Sequence, residues 1–149
     1  MDEEKGVEET IEDSNSIFYK AFESLSIEKM EDVWKHSDDT ICIHPGWEMF
    51  TGWTAIRESW VSIFENTRMI EFFITNTKIK LFKNTAVVVC LENISSVIDD
   101  ENSIRTGVIA TNIFEKKDVK NKKNYNNEWL MIHHHGSLVV NYMPPNVSV

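Results

Sequence analysis

From Ile11 to Leu25 the apolar residues Ile11, Phe18, Phe22 and Leu25 recur at helical spacing, and Asn15 is the one polar gap in the stripe. The spacing predicts an amphipathic helix whose acidic first turn complements the positive end of the helix dipole. Ser26 is placed to cap a second helix, in which Ile27, Met30, Val33 and Trp34 share a face, ending near His36 and the Ser37-Asp38-Asp39 turn. The period then changes. Thr40-Ile41-Cys42-Ile43-His44 reads as a strand stopped by Pro45-Gly46, and a third helix follows Thr51-Gly52, with Trp53, Ile56, Trp60, Ile63 and Phe64 on one stripe.

Beyond Met69 the pattern is that of strands: MIEFFITNTKIKLFK, TAVVVCLENISSVI, SIRTGVIATNIFEK and EWLMIHHHGSLVV. They are separated by Lys83-Asn84, by Asp99-Asp100-Glu101-Asn102 and by the polar loop Lys117 to Asn127, each suited to an antiparallel connection. Three helices followed by a meander of long strands predict an α+β fold, with the helical stripes packed on one face of an antiparallel sheet. In Ala86-Val87-Val88-Val89-Cys90-Leu91 the residues of both parities are apolar, so both sheet faces need cover. A second copy of the chain is the simplest cover and predicts a homodimer through the sheet face; the alternative is a C-terminal tail folded over it.

Composition bounds the rest. With 149 residues, 42% of them hydrophobic, the chain fits one domain with a single core. We divide it into an acidic flexible tail (1–8), the domain (9–141) and a C-terminal tail (142–149). Seven acidic side chains lie between Asp2 and Asp13 against one Lys5, so most of the net charge of -9 belongs to the N-terminal end. An acidic chain repels phosphate backbones, and its lysines cluster among asparagines in a solvated loop, which argues against nucleic-acid binding. No apolar run reaches membrane-spanning length, and no secretory leader is legible. Cys42 and Cys90 both fall in apolar, strand-like surroundings, so free thiols in a reducing cytoplasm are expected.

The sequence resembles a known family in several places: Ile43-His44-Pro45-Gly46, Thr51-Gly52-Trp53, Ser59-Trp60, Ala110-Thr111-Asn112-Ile113-Phe114, and Trp129 through Ser137. Their order is similar to that of the SnoaL-like branch of the nuclear transport factor 2-like superfamily. The resemblance implies a strongly curved antiparallel sheet wrapped around three N-terminal helices, a cystatin-like cone with a pocket at its open end. It also implies a homodimer paired face to face. Relatives include ketosteroid isomerases, polyketide cyclases, dehydratases and the association domain of calmodulin-dependent kinase II, so fold alone assigns no reaction.

Three consecutive histidines, His133, His134 and His135, cannot all bind one ion from a strand, because neighbouring side chains point to opposite faces. Regular alternation would put His133 and His135 with Trp129 and Met131, lining the pocket, and His134 with Leu130 and Ile132. No zinc-type spacing supplies further ligands, so neither a metal nor another cofactor is expected. His44, just before the Pro45-Gly46 turn, is a candidate base or hydrogen-bond donor, or else a residue that bonds the turn's backbone. Glu92 follows Cys90 on one face of an apolar strand, where half-burial would raise its pKa, and it is the second catalytic candidate. In isomerases of the resembled superfamily a carboxylate base works beside a Tyr; Tyr19 could imitate that Tyr. Trp47 in the turn, Trp60 and Asn112 complete the expected ligand-binding set, the bland reading being that Trp60 is core and Asn112 a satisfied buried amide.

The expected function is therefore a small-molecule-binding homodimer with isomerase-, dehydratase- or cyclase-type proton transfer. The alternative is a non-catalytic assembly or adaptor module resembling the calmodulin-dependent kinase II association domain.

Overall fold

A computed structural model describes residues 6–117 and 128–145; most of the expected Lys/Asn loop and the extreme N-terminal residues lie outside them. Helix α1 spans Val7–Ser24, with Glu8 and Glu9 in its first turn, and it ends where Leu25 turns left-handed and its N–H bonds Phe22 O. Val7 and Glu8, assigned from sequence to the tail, are thus helical. Helix α2, Ile27–Val33, is capped by Ser26, whose hydroxyl accepts from Lys29 N. It stops earlier than the apolar period suggests, because Trp34 becomes extended and bridges to Met131 while Lys35 N bonds Met131 O.

Strand β1 is Ile41–Ile43 and is followed by a short strand the sequence pattern did not announce, β2, Met49–Thr51. Helix α3, Trp53–Glu65, starts after Gly52, whose φ of 88° favours glycine. The long strands are β3 (Met69–Leu81), β4 (Thr85–Val97), β5 (Ser103–Lys116) and β6 (Trp129–Leu138). They form one curved six-stranded sheet in the order β2-β1-β6-β5-β4-β3. All neighbours are antiparallel except β1 and β6, which run parallel. Among the described residues, no helix is long and apolar enough to cross a membrane.

The helices fill one face of this sheet. Phe18, Phe22 and Trp60 meet there edge to face, with Met30, Trp34, Ile56, Phe114, Trp129 and Met131 buried around them. Cross-strand register sets which residues join this inner face: Val88, Asn112, His134 and Cys42 stand in one row, and Cys90, Ala110 and Gly136 in the next.

Two irregularities matter for the site. In β3 the pairing shifts between Thr75 and Lys78, where Asn76 takes a positive φ and bends the edge strand. In β6, Ile113 pairs with His133 but Phe114 pairs with Met131, so Ile132 is an extra residue in a β-bulge. The bulge changes the phase of the strand. Trp129 and Met131 face inward as expected, but the inward histidine is His134, while His133 and His135 face out. The alternation read from the sequence fails here because one inserted residue reverses it.

The outer face carries Val87, Val89 and Leu91 of β4 and Ile109, Thr111 and Ile113 of β5, next to the outward histidines. Its far end is covered by the chain itself. After β6, Val139 N bonds Gly107 O, and the Tyr142 ring lies over Gly107 and donates from its hydroxyl to Asn93 Oδ1 at 2.6 Å.

Candidate functional site

Inside the fold, α1 and strands β4, β5 and β6 bring five polar side chains together in apolar surroundings. Tyr19 reaches from α1 to the sheet and donates from its hydroxyl to Glu92 Oε2 at 2.5 Å, with Cys90 Sγ 3.4 Å away. Asn112, fully buried on β5, donates from Nδ2 to Tyr19 Oη at 3.1 Å and to Asn15 Oδ1 at 2.9 Å. Its Oδ1 lies 2.5 Å from Nδ1 of His134. The bulge thus sets His134, and not His133 or His135, against Asn112.

Burial dominates the electrostatics. The Glu92 carboxyl is only 2% exposed, and desolvation pushes it up to about 7, against the opposing pull of the Tyr19 hydrogen bond. Burial also pushes the Tyr19 hydroxyl well above its ordinary value, helped by the charge on Glu92, and takes the Cys90 thiol up to about 11. His134 is held well below the usual imidazole range by burial first and by neighbouring His44 next. Within the helix-covered interior, Glu92 is thus the group whose ionisation falls near neutrality, and the groups bonded around it stay uncharged.

A second cluster lies beside the first. His44 is 3% exposed at the end of β1, its ring edge-on to Trp60 at 4.7 Å and to Trp47 at 5.1 Å, and 6.5 Å from His134. Its Nε2 meets the Ser59 hydroxyl at 2.9 Å, and Ser59 donates to Ile56 O, so the hydroxyl accepts from a neutral Nε2–H. Burial brings His44 down to about 4. The turn after β1 is closed by Trp47 N on His44 O, a backbone bond that leaves the ring free for Ser59. Trp47 itself is 44% exposed at the rim, whereas Trp60 is fully enclosed and its indole N–H has no acceptor among the described residues.

Of the residues singled out from the sequence, Tyr19, Glu92 and Asn112 are brought into direct contact, and His44, Trp47 and Trp60 form the adjoining cluster. His133 and His135 are not part of either: their rings face each other 6.4 Å apart on the outer face. Among the described residues, no three His, Cys, Asp or Glu side chains are placed to share a metal ion.

Residues 11–141 match the SnoaL-like domain family. The chain belongs to this family. A crystal structure of a candidate dehydratase of the nuclear transport factor 2-like family from Streptomyces avermitilis is 29% identical, with a TM-score of 0.78 over 89% of this chain and 95% of that one. A candidate calcium/calmodulin-dependent protein kinase type II association domain from Thiobacillus denitrificans is 25% identical, with a TM-score of 0.70 over 85% of this chain and 92% of that one. The F-box protein SKIP8 of Arabidopsis thaliana is 24% identical over 126 residues, 85% of this chain and 48% of that protein, so the chain spans about half its length.

Three residues of this SnoaL-like chain join the two clusters without having been singled out as site residues: Asn15, Ser59 and His134. Asn15 had a legible signal, being the polar gap in an otherwise apolar helical stripe. Ser59 lies one residue before Trp60 on α3, and its one signal was its place in the Ser59-Trp60 piece of the family resemblance.

Proposed function

We propose that this SnoaL-like chain binds a small, partly apolar carbonyl compound on the helix-covered side of its sheet and moves a proton on it through Glu92. The observation that carries the reading is the Glu92–Tyr19 pair, a buried carboxylate near its midpoint at neutral pH held 2.5 Å from a hydroxyl donor. A carboxylate poised near the working pH is suited to take a proton from carbon and return it, and burial of Glu92 beside Tyr19, on which Phe72 packs, strengthens each electrostatic contact. Phe72 packs on Tyr19 at 5.0 Å and on Phe22 at 4.6 Å, and these rings are the ones a guest displaces to reach the pair. The unaccepted indole N–H of Trp60 adds a donor that an oxygen-bearing guest would satisfy. Likeness to a candidate dehydratase at 29% identity supports the same reaction class.

The test is proton exchange. Cyclic ketones and β-hydroxy ketones are incubated with the protein in heavy water and followed by NMR for loss of the α-proton signal and for elimination of water. Exchange should rise as Glu92 ionises near pH 7 and fall by about a hundredfold or more in Glu92→Gln. Equal exchange in wild type and variant rules out this role for Glu92.

A second reading is favoured by a different observation. Val87, Val89, Leu91 and Ile109 give the outer face an apolar centre, and Ile109 is 49% exposed. Pairing of two copies there makes a homodimer, and likeness to a kinase association domain supports an assembly role. The two readings coexist, since they use opposite faces of one sheet. Free, buried Cys42 and Cys90 suit a reducing compartment such as the cytoplasm.

A further inference from the structure

The hydrogen bonds from His134 to Glu92 form a line in which every donor points the same way. An amide oxygen only accepts, so the 2.5 Å contact between His134 and Asn112 Oδ1 requires the proton on His134 Nδ1. The two protons of Asn112 Nδ2 go to Asn15 Oδ1 and Tyr19 Oη. Tyr19 has a single proton left, and it goes to Glu92 Oε2. Rotating the Asn112 amide by half a turn would set its oxygen against Asn15 Oδ1 and would require the His134 proton to move from Nδ1 to Nε2, so the flip meets a repulsion at one end and a change of tautomer at the other. We infer that Asn112, locked by His134 and Asn15, is a positioning residue that commits the Tyr19 proton to Glu92 and thereby sets the acidity of Glu92 from the neighbouring strand.

The titratable groups facing this line are few. Tyr19 of α1 and Cys90 of β4 stand beside Glu92; Ile74 of β3 and Val108 of β5 are its cross-strand partners and carry no charge. At the other end His134 is neighboured by His44 of β1 and, through the sheet, by His133 and His135. Cys90 Sγ is a second acceptor within reach of the Tyr19 hydroxyl. When Asn112 donates to Tyr19, it polarises the hydroxyl and strengthens its bond to the carboxylate. If the amide turns, Asn112 Oδ1 becomes a competing acceptor for the Tyr19 proton and the carboxylate loses its donor. The inference gives the proposed proton-moving group its tuning and rests on that reading only for its functional meaning.

The experiment is a pH titration of the Glu92 side-chain carboxyl by carbon-13 NMR, the resonance being assigned with Glu92→Gln. His134→Phe removes the lock at one end, Asn15→Ala removes it at the other, and Asn112→Ala removes the relay. Each should raise the Glu92 midpoint by about one pH unit, a tenfold loss of acidity. His134→Asn, whose amide nitrogen stands near the position of Nδ1, should restore most of the wild-type midpoint. A Glu92 midpoint unmoved in those of the three that retain the wild-type near-ultraviolet circular dichroism overturns the inference, because a purely structural role would lower thermal stability without moving that midpoint. The ketone exchange assay is scored separately: shifted midpoints without exchange in wild type retain the relay and discard the catalytic reading, and exchange with unmoved midpoints does the reverse.

Discussion

The ring of Tyr142 occupies the space in which a side chain at position 107 would stand. A Cβ built on Gly107 collides with Cδ1 and Cγ of that ring, so a glycine in the middle of a long strand is explained by a residue after the last strand. The tail thereby closes one end of the outer face, with the Tyr142 hydroxyl bound to Asn93 and the Asn93 amide bound in turn to Phe73 O and Thr75 Oγ1.

Gly107→Ala should cost about 1–3 kcal/mol by forcing the ring aside. In a Tyr142→Ala background the same change should cost far less. A double-mutant cycle by urea unfolding checks the coupling, and additive effects would show that the ring does not rest on this backbone.

Glu92→Gln should alter how stability depends on pH. The folded-state pKa of Glu92 is raised by burial to about 7 from an ordinary value of 4.5, so its favourable contribution is complete below the unfolded value and is lost as pH rises through 7. At about 1.4 kcal/mol per unit this is on the order of 3 kcal/mol. Relative to wild type, the Gln variant should gain that stability between acid and mildly alkaline solution. Unfolding curves of both proteins across the range measure it, and parallel curves would refute it.

His44→Leu should act with the opposite sign. Burial lowers the His44 pKa from 6.5 to about 4, so wild type loses stability as pH falls through that interval, where the unfolded chain binds a proton that the folded chain does not. The variant should show less acid sensitivity, with the part due to His134 remaining. Thermal melts at a series of acidic pH values decide the matter.

Val89→Glu should leave the fold intact and abolish self-association. Val89 is on the outer face, paired between Lys78 of β3 and Thr111 of β5, away from the helices. Sedimentation velocity on both proteins tests this; a wild type that is monomeric at micromolar concentration would remove the dimer altogether.

Much of this architecture is legible in the chain because the patterns are periodic. The stripes of α1 and α3 and the four long strands follow from spacing alone, and Glu92 comes from asking which polar residue lies on an apolar strand face, whereas Tyr19 and Asn112 come from the family resemblance. What escaped is aperiodic. Ile132 looks like any other strand residue, yet as the extra member of a bulge it decides which histidines enter the interior. Strand β2 is three residues long, too short for a pattern, and α2 ends where tertiary pairing of Trp34 and Lys35 with Met131 outcompetes the helix. Asn15 was visible as a break in the stripe, but its use depends on the register of β5, which no local spacing encodes.

The margin strand β3 presents a row of backbone amides, and Glu23 at the end of α1 accepts from Phe72 N at 2.8 Å. A few residues on, the kink at Asn76 breaks the straight line of that margin. At the opposite margin β2 is too brief to template another strand. Growth by strand addition, the route to filaments and amyloid, is thus disfavoured at both borders.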